Sequence, residues 1–153
     1  MADNKENNAR PYRAFGDYLK ETFGCKVYKV TIDAGFTCPN RDGTLGRGGC
    51  IFCNNSGFSP NTRQPRASIS EQLERGMSFL RKRYKAEKFI SYFQAFTNTY
   101  APVETLERLY RESLEPEDVV GLSVGTRPDC CGDDVLELLG DISKDYELWI
   151  ELG

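Results

Sequence analysis

Three cysteines converge on one glycine-rich stretch of this sequence. Cys38, Cys50 and Cys53 form a C-x11-C-x2-C pattern, with Gly43, Gly46, Gly48 and Gly49 between the first two. Thiolates at such spacing hold a soft metal or an iron–sulfur cluster. A cluster normally takes four Cys ligands, so three leave one iron open to a small molecule. As with zinc, an open position marks chemistry, whereas a closed site marks scaffolding. The competing reading is a structural site, zinc closed by Cys25, Cys130 or Cys131 or else a cluster, which makes a zinc- or cluster-stabilised binding module without turnover.

Composition removes several other chemistries. The chain has no His, so Cys2His2 fingers, His-ligated haem and triads that need an imidazole are absent. Its 153 residues, 39% hydrophobic and 12% aromatic, fit one globular domain. A net charge of −3 gives no global positive field for nucleic acid, so RNA binding requires a local patch. No apolar run approaches the roughly 18 residues that span a bilayer, and residues 1–10 are polar without a signal-like apolar stretch. The expectation is a cytoplasmic protein with reduced thiols.

The elements that must position the cysteines follow from periodicity. Residues 1–11 read as a disordered lead-in to a core domain over residues 12–153. Tyr12, Phe15, Tyr18, Leu19 and Phe23 recur at helical spacing, and Gly24 is placed to stop that helix. Residues 26–32 alternate, with Tyr28, Val30 and Ile32 on one face and Lys29 and Thr31 on the other, predicting a strand that runs into the cysteine loop. Ser68 with Glu71 is a capping-box signature opening a helix striped by Ile69, Leu73, Met77, Leu80 and Tyr84. Residues 89–96 predict a second strand. Pro102 fits the first turn of a helix carrying Val103, Leu106, Leu109, Tyr110 and Leu114. Residues 119–126 predict a third strand, Asp133 and Asp134 begin another helix, and residues 148–152 predict a fourth strand. Strands alternating with helices imply right-handed βαβ units and a parallel sheet, hence an α/β fold. The sequence stops just after the fourth strand, leaving Trp149 and Leu152 without a covering helix, and is therefore expected to be an amino-terminal fragment.

In such architectures chemistry gathers at the C-terminal ends of the strands. The first strand leads to Asp33 and the cysteine loop. The second leads to a polar cluster with Gln94, Thr97 and Asn98, the third to Arg127, and the fourth carries Glu151. Parity puts Gly121, Ser123 and Gly125 on the face leading to Arg127, with Val120, Leu122 and Val124 on the other. Bland alternatives stand beside these: the 94–100 segment as a polar cap, Arg127 as an ion-pair partner of Asp129 or Asp133, and Glu151 as an exposed edge residue.

The triad with Phe52 just before its last cysteine resembles the cluster loop of radical S-adenosylmethionine (radical SAM) enzymes, although most of them use C-x3-C-x2-C. Together with the run Asp33-Ala34-Gly35-Phe36-Thr37-Cys38-Pro39-Asn40-Arg41-Asp42-Gly43, the 93–100 segment and Gly125-Thr126-Arg127-Pro128-Asp129, it looks like the YhcC-type radical SAM proteins. These are related to the Elongator catalytic subunit, which shares a Thr-Arg-Pro-Asp stretch.

The resemblance implies four parallel strands forming the amino-terminal half of a partial (β/α) barrel. It implies a [4Fe–4S] cluster on Cys38, Cys50 and Cys53 whose fourth iron is chelated by the methionyl group of SAM. One-electron reduction, by a flavodoxin- or ferredoxin-type donor, would cleave SAM to a 5′-deoxyadenosyl radical. Phe52, Gln94, Thr97, Asn98, Arg127 and Glu151 would contact SAM. The same kinship points to tRNA wobble-uridine modification, and Arg81, Lys82, Arg83, Lys85 and Lys88 would supply a local basic patch. Solvated residues complementing a helix C-terminus are the plainer reading of that stretch.

Overall fold

The computed structural model describes residues 11–54 and 67–153. The expectation for residues 1–11 lies almost wholly outside the described residues. Four strands, β1 (Val27–Ile32), β2 (Lys88–Phe93), β3 (Val119–Thr126) and β4 (Glu147–Leu152), form one sheet in that spatial order, every pair parallel. The fold is therefore α/β, as the alternating periodicities predict. Sequential strand order winds the chain in one direction, as in a partial barrel, without the order reversal of doubly wound sheets.

The helices divide between the two faces. The crossover helices α3 (Ile69–Tyr84), α4 (Val103–Leu114) and α5 (Asp133–Ile142) pack on one face, where Leu73, Met77, Leu106, Tyr110 and Leu139 close over Val30, Ile32, Phe89, Phe93, Leu122 and Val124. The amino-terminal helix α1 (Phe15–Phe23) lies on the other face, where Leu19 packs with Val27, Ile90 and Val120. It plugs the inner face at the N-terminal ends of the strands. α1 stops at Gly24, which is left-handed at φ 70° and returns its N–H to Lys20. α3 starts with the capping box read from the sequence, Ser68 and Glu71 each bonding the other's backbone N–H.

Several expectations are corrected. Pro102 is the residue before α4, outside its first turn. β4 begins at Glu147. β2 ends at Phe93, short of the expected residue 96, and Phe96 at φ 64° has a conformation a strand cannot contain. The β2–β3 register shifts between Phe89 and Ile90, so Val120 joins the α1 cluster while Leu122 and Val124 face the crossover helices as expected. Trp149 is covered too: Phe15 meets its ring edge-on at 4.8 Å and Tyr18 at 5.7 Å. Leu152 stays exposed, as expected.

Candidate functional site

The site is built from the exit of β1 outward. Gln72 of α3 holds that exit, its Oε1 accepting from Asp33 N at 2.8 Å and its Nε2 donating to Asp33 O at 2.9 Å. Asp33 Oδ1 in turn accepts from Gly35 N, with Gly35 at φ 80° turning the chain toward Cys38. Cys38 precedes a single turn of helix, α2 (Pro39–Asp42), and accepts its first backbone bond from Arg41. Gly49 N donates to Asn40 O, and Cys53 N to Cys50 O, so the loop folds back over α2. A Cβ on Gly49 would stand 2.7 Å from the Arg41 guanidinium. Arg41 also donates to Cys53 O and lies over the Phe96 ring at 5.4 Å. Thr97 N donates to Thr37 O, and Asn98 N to Gly125 O, stitching the ends of β1, β2 and β3 together.

These loops surround a cleft of about 330 Å³ at the C-terminal ends of the strands, a size suited to a small ligand. Cys38, Cys50, Phe52, Cys53, Gln94, Thr97, Arg127 and Glu151 all line it, with Tyr92, Phe96, Gly125 and Thr126. Asn98 is the one predicted site residue outside that lining. Its side chain is buried and its Nδ2 donates to Gly125 O at 2.8 Å, while its Oδ1 has no partner among the described residues. Phe52 is largely exposed at the rim.

The three thiols share the cleft without closing to the spacing of a single ion, and no group of three Cys, Asp or Glu does so among the described residues. The donor set nevertheless suits an iron–sulfur cluster in kind. It is all thiol and half-buried, and Asn40 Nδ2 lies 3.1 Å from Cys50 Sγ, a contact of the type that tunes cluster sulfurs. Cys25 packs beneath α1 beside Val27, at the opposite end of β1, and is removed from any fourth-ligand role here.

Fixed charges in the cleft are paired. Arg127 is gripped by Asp129 through two bonds of 2.9 and 2.7 Å, the ion pair weighed from the sequence. Those bonds raise the Arg127 pKa and hold the Asp129 carboxyl below its usual range. Glu151 accepts from Lys29 Nζ, from Tyr92 Oη at 2.6 Å and from Ser123 Oγ at 2.9 Å. Burial pushes its carboxyl upward, but the bonds from Lys29, Tyr92 and Ser123 outweigh that and lower it. Burial and the Glu151 contact together raise the Tyr92 phenol. Sequence reasoning missed Lys29 and Tyr92. The available signal was parity: Lys29, Tyr92, Ser123 and Glu151 all fall on the strand face opposite the crossover helices.

Comparison with known proteins adds relatives without a stated activity. Protein YhcC of Escherichia coli K12 is 46% identical over 140 residues, 91% of this chain and 44% of that protein. The uncharacterized protein YtqA of Bacillus subtilis is 43% identical over 147 residues, 96% of this chain and 46% of its own. The uncharacterized protein MJ0486 of Methanocaldococcus jannaschii is 37% identical over 145 residues. The chain spans just under half the length of these relatives. No protein-family model matches it, and no solved structure does.

The basic stretch lies elsewhere. Arg81, Lys82 and Arg83 end α3, Lys85 caps it and Lys88 begins β2, all at the N-terminal ends of the strands, away from the cleft. Arg81 is already paired with Asp118. Among the described residues, no helix is long and apolar enough to cross a membrane.

Proposed function

We propose that this chain carries the cluster- and SAM-binding part of a radical SAM enzyme, with Cys38, Cys50 and Cys53 as the ligands of a [4Fe–4S] cluster. The observation that carries the proposal is the cleft itself: cysteines separated by the C-x11-C-x2-C spacing, on the loop after β1, line one cavity with polar residues from the ends of β2, β3 and β4. The likeness to protein YhcC, the type that the motifs resemble, supports it. The cluster and SAM together would supply reductive generation of a carbon radical.

The chain's own residues have narrower tasks. Asn40 donates toward the Cys50 sulfur, and the Arg41 side chain braces the loop at Cys53 O and Phe96. Gln94 and Thr97 give the cleft polar groups at the end of β2, where an amino group of SAM would bond. Arg127 is neutralised by Asp129, so its guanidinium adds no unpaired positive charge against the sulfonium and ammonium of SAM. Glu151 offers a carboxylate to ligand hydroxyls. A flavodoxin- or ferredoxin-type reductant and tRNA as substrate belong to the proposal for the whole protein.

The test is iron, acid-labile sulfide and zinc per chain after anaerobic reconstitution. About four irons with matching sulfide is the expected result. Stoichiometric zinc with little iron would replace the proposal by a zinc-stabilised binding module.

A further inference from the structure

The floor of the cleft holds a polar arrangement that a packed sheet face does not need. We propose that Lys29 is a positioning residue: with Ser123 it holds Glu151 from behind, so that a fixed carboxylate faces the cleft beside the Tyr92 hydroxyl. Glu151 and Tyr92 line the cleft, whereas Lys29 and Ser123 do not. Lys29 and Ser123 both reach Oε1, and Tyr92 reaches Oε2. Each carboxylate oxygen has two lone pairs, so Oε1 is filled and Oε2 keeps one acceptor site. That site is what a ligand hydroxyl in the cleft would meet.

Lys29 is itself tightly placed. Its ammonium lies 4.5 Å from the centre of the Tyr92 ring and 5.1 Å from that of Phe15, and it contacts Ser123 Oγ at 3.2 Å. Its side chain is only 25% exposed, in a position where a mid-strand lysine is ordinarily disfavoured. Just below it, Val27, Ile90 and Val120 make the same face apolar against α1. A residue serving stability alone would continue that apolar layer, since hydrophobic replacement of such a pair is often neutral or better. The groups facing Glu151 are Lys29 from β1, Tyr92 from β2 and Ser123 from β3, so Lys29 supplies the positive charge of the set.

The test uses the full chain with 13C-labelled glutamate carboxyls, the Glu151 signal being identified by its loss in Glu151→Gln. Lys29→Met should move the Glu151 titration midpoint upward by about one pH unit, a roughly tenfold change in proton affinity, and Lys29→Arg should restore it. An unmoved midpoint in folded Lys29→Met overturns the inference. If that variant does not fold, Ser123→Ala, which removes the other support of Oε1, must move the signal the same way, and no shift there overturns it equally. A second arm rests on the proposed function: SAM should bind the reconstituted Lys29→Met chain roughly tenfold more weakly than wild type, with Lys29→Arg near wild type. Wild-type chain that fails to bind SAM sinks the proposed function alone, because the carboxyl titration still judges Lys29.

Discussion

Gln72 offers a sharp test of how the site is held, because its effect on the cysteine loop runs entirely through backbone hydrogen bonds. Its amide pairs with both the N–H and the C=O of Asp33, and also donates to Ala67 O at 3.0 Å. Both Gln72 and Asp33 are buried, so the groups released by Gln72→Leu have no ready access to water. Leucine keeps most of the volume and removes every polar contact. Each buried backbone group left unpaired costs about 1–3 kcal/mol, and the Asp33 N–H and C=O, which lose one shared partner, combine to about 2–4 kcal/mol, Ala67 being only half-buried. The assay is urea denaturation of the metal-free chain, followed by iron loading under reconstitution. The expected outcome is a midpoint shift of that size with an unchanged slope. Because Asp33 leads through Gly35 to Cys38, iron retention should fall as well. A Gln72→Leu chain within about 0.5 kcal/mol of wild type would refute the reasoning, since that is the range of surface substitutions.

Other perturbations separate the site from the scaffold. Cys50→Ala should abolish iron loading while the circular dichroism spectrum and denaturation midpoint stay close to wild type. Global unfolding would instead show a structural metal, whose binding energy is folding energy. In Gly76→Ala, the new Cβ would stand 2.4 Å from Val30 Cγ1, so α3 must back away from β1. Thermal denaturation should show a loss of about 1–3 kcal/mol, turning into a gain of about 1 kcal/mol when the same change is made in a Val30→Ala background. Glu151 is held below its ordinary pKa, so the stability it contributes is complete above the unfolded value of about 4.3 and disappears as pH falls through the lower folded value. With the Lys29 and Glu151 side chains 25% and 38% exposed, the effect is at most about 1 kcal/mol. Between about pH 6 and pH 3, wild type should therefore lose more stability than Glu151→Gln.

What could be read from the chain alone was what local chemistry decides. Ser68 and Glu71 announce the start of α3, Gly24 ends α1, and β3 occupies the residues its β-branched run marks. The gathering of the cysteines with Gln94, Thr97, Arg127 and Glu151 followed from one rule, that the ends of parallel strands meet on one side of a sheet. Asn98 escaped because its spacing matches that of its neighbours, and only the tertiary bond to Gly125 O turns it inward. Val120 escaped because a register irregularity breaks the alternation on which parity depends. Lys29 was legible only as a residue on the face opposite Tyr28, Val30 and Ile32, with nothing local to mark its partners. Its true neighbours come from strands 63 to 122 residues away, beyond any local pattern.

The plug formed by α1 bears on the order in which the molecule assembles. The helix precedes the four strands, yet its aromatic face is completed by β4: Tyr18 donates to Glu147, and Phe15 and Tyr18 close on Trp149. These contacts join residues 129 or more positions apart, among the longest loops the chain can close. During synthesis from the amino terminus, α1 emerges well before the surface it covers. Leu19 finds Val27 of β1 early, but Phe15 and Tyr18 must wait in a nascent chain until β4 is made. Docking of α1 is therefore expected to be a late event, with slow, topology-limited closure, and the inner face of the sheet stays wet until it happens.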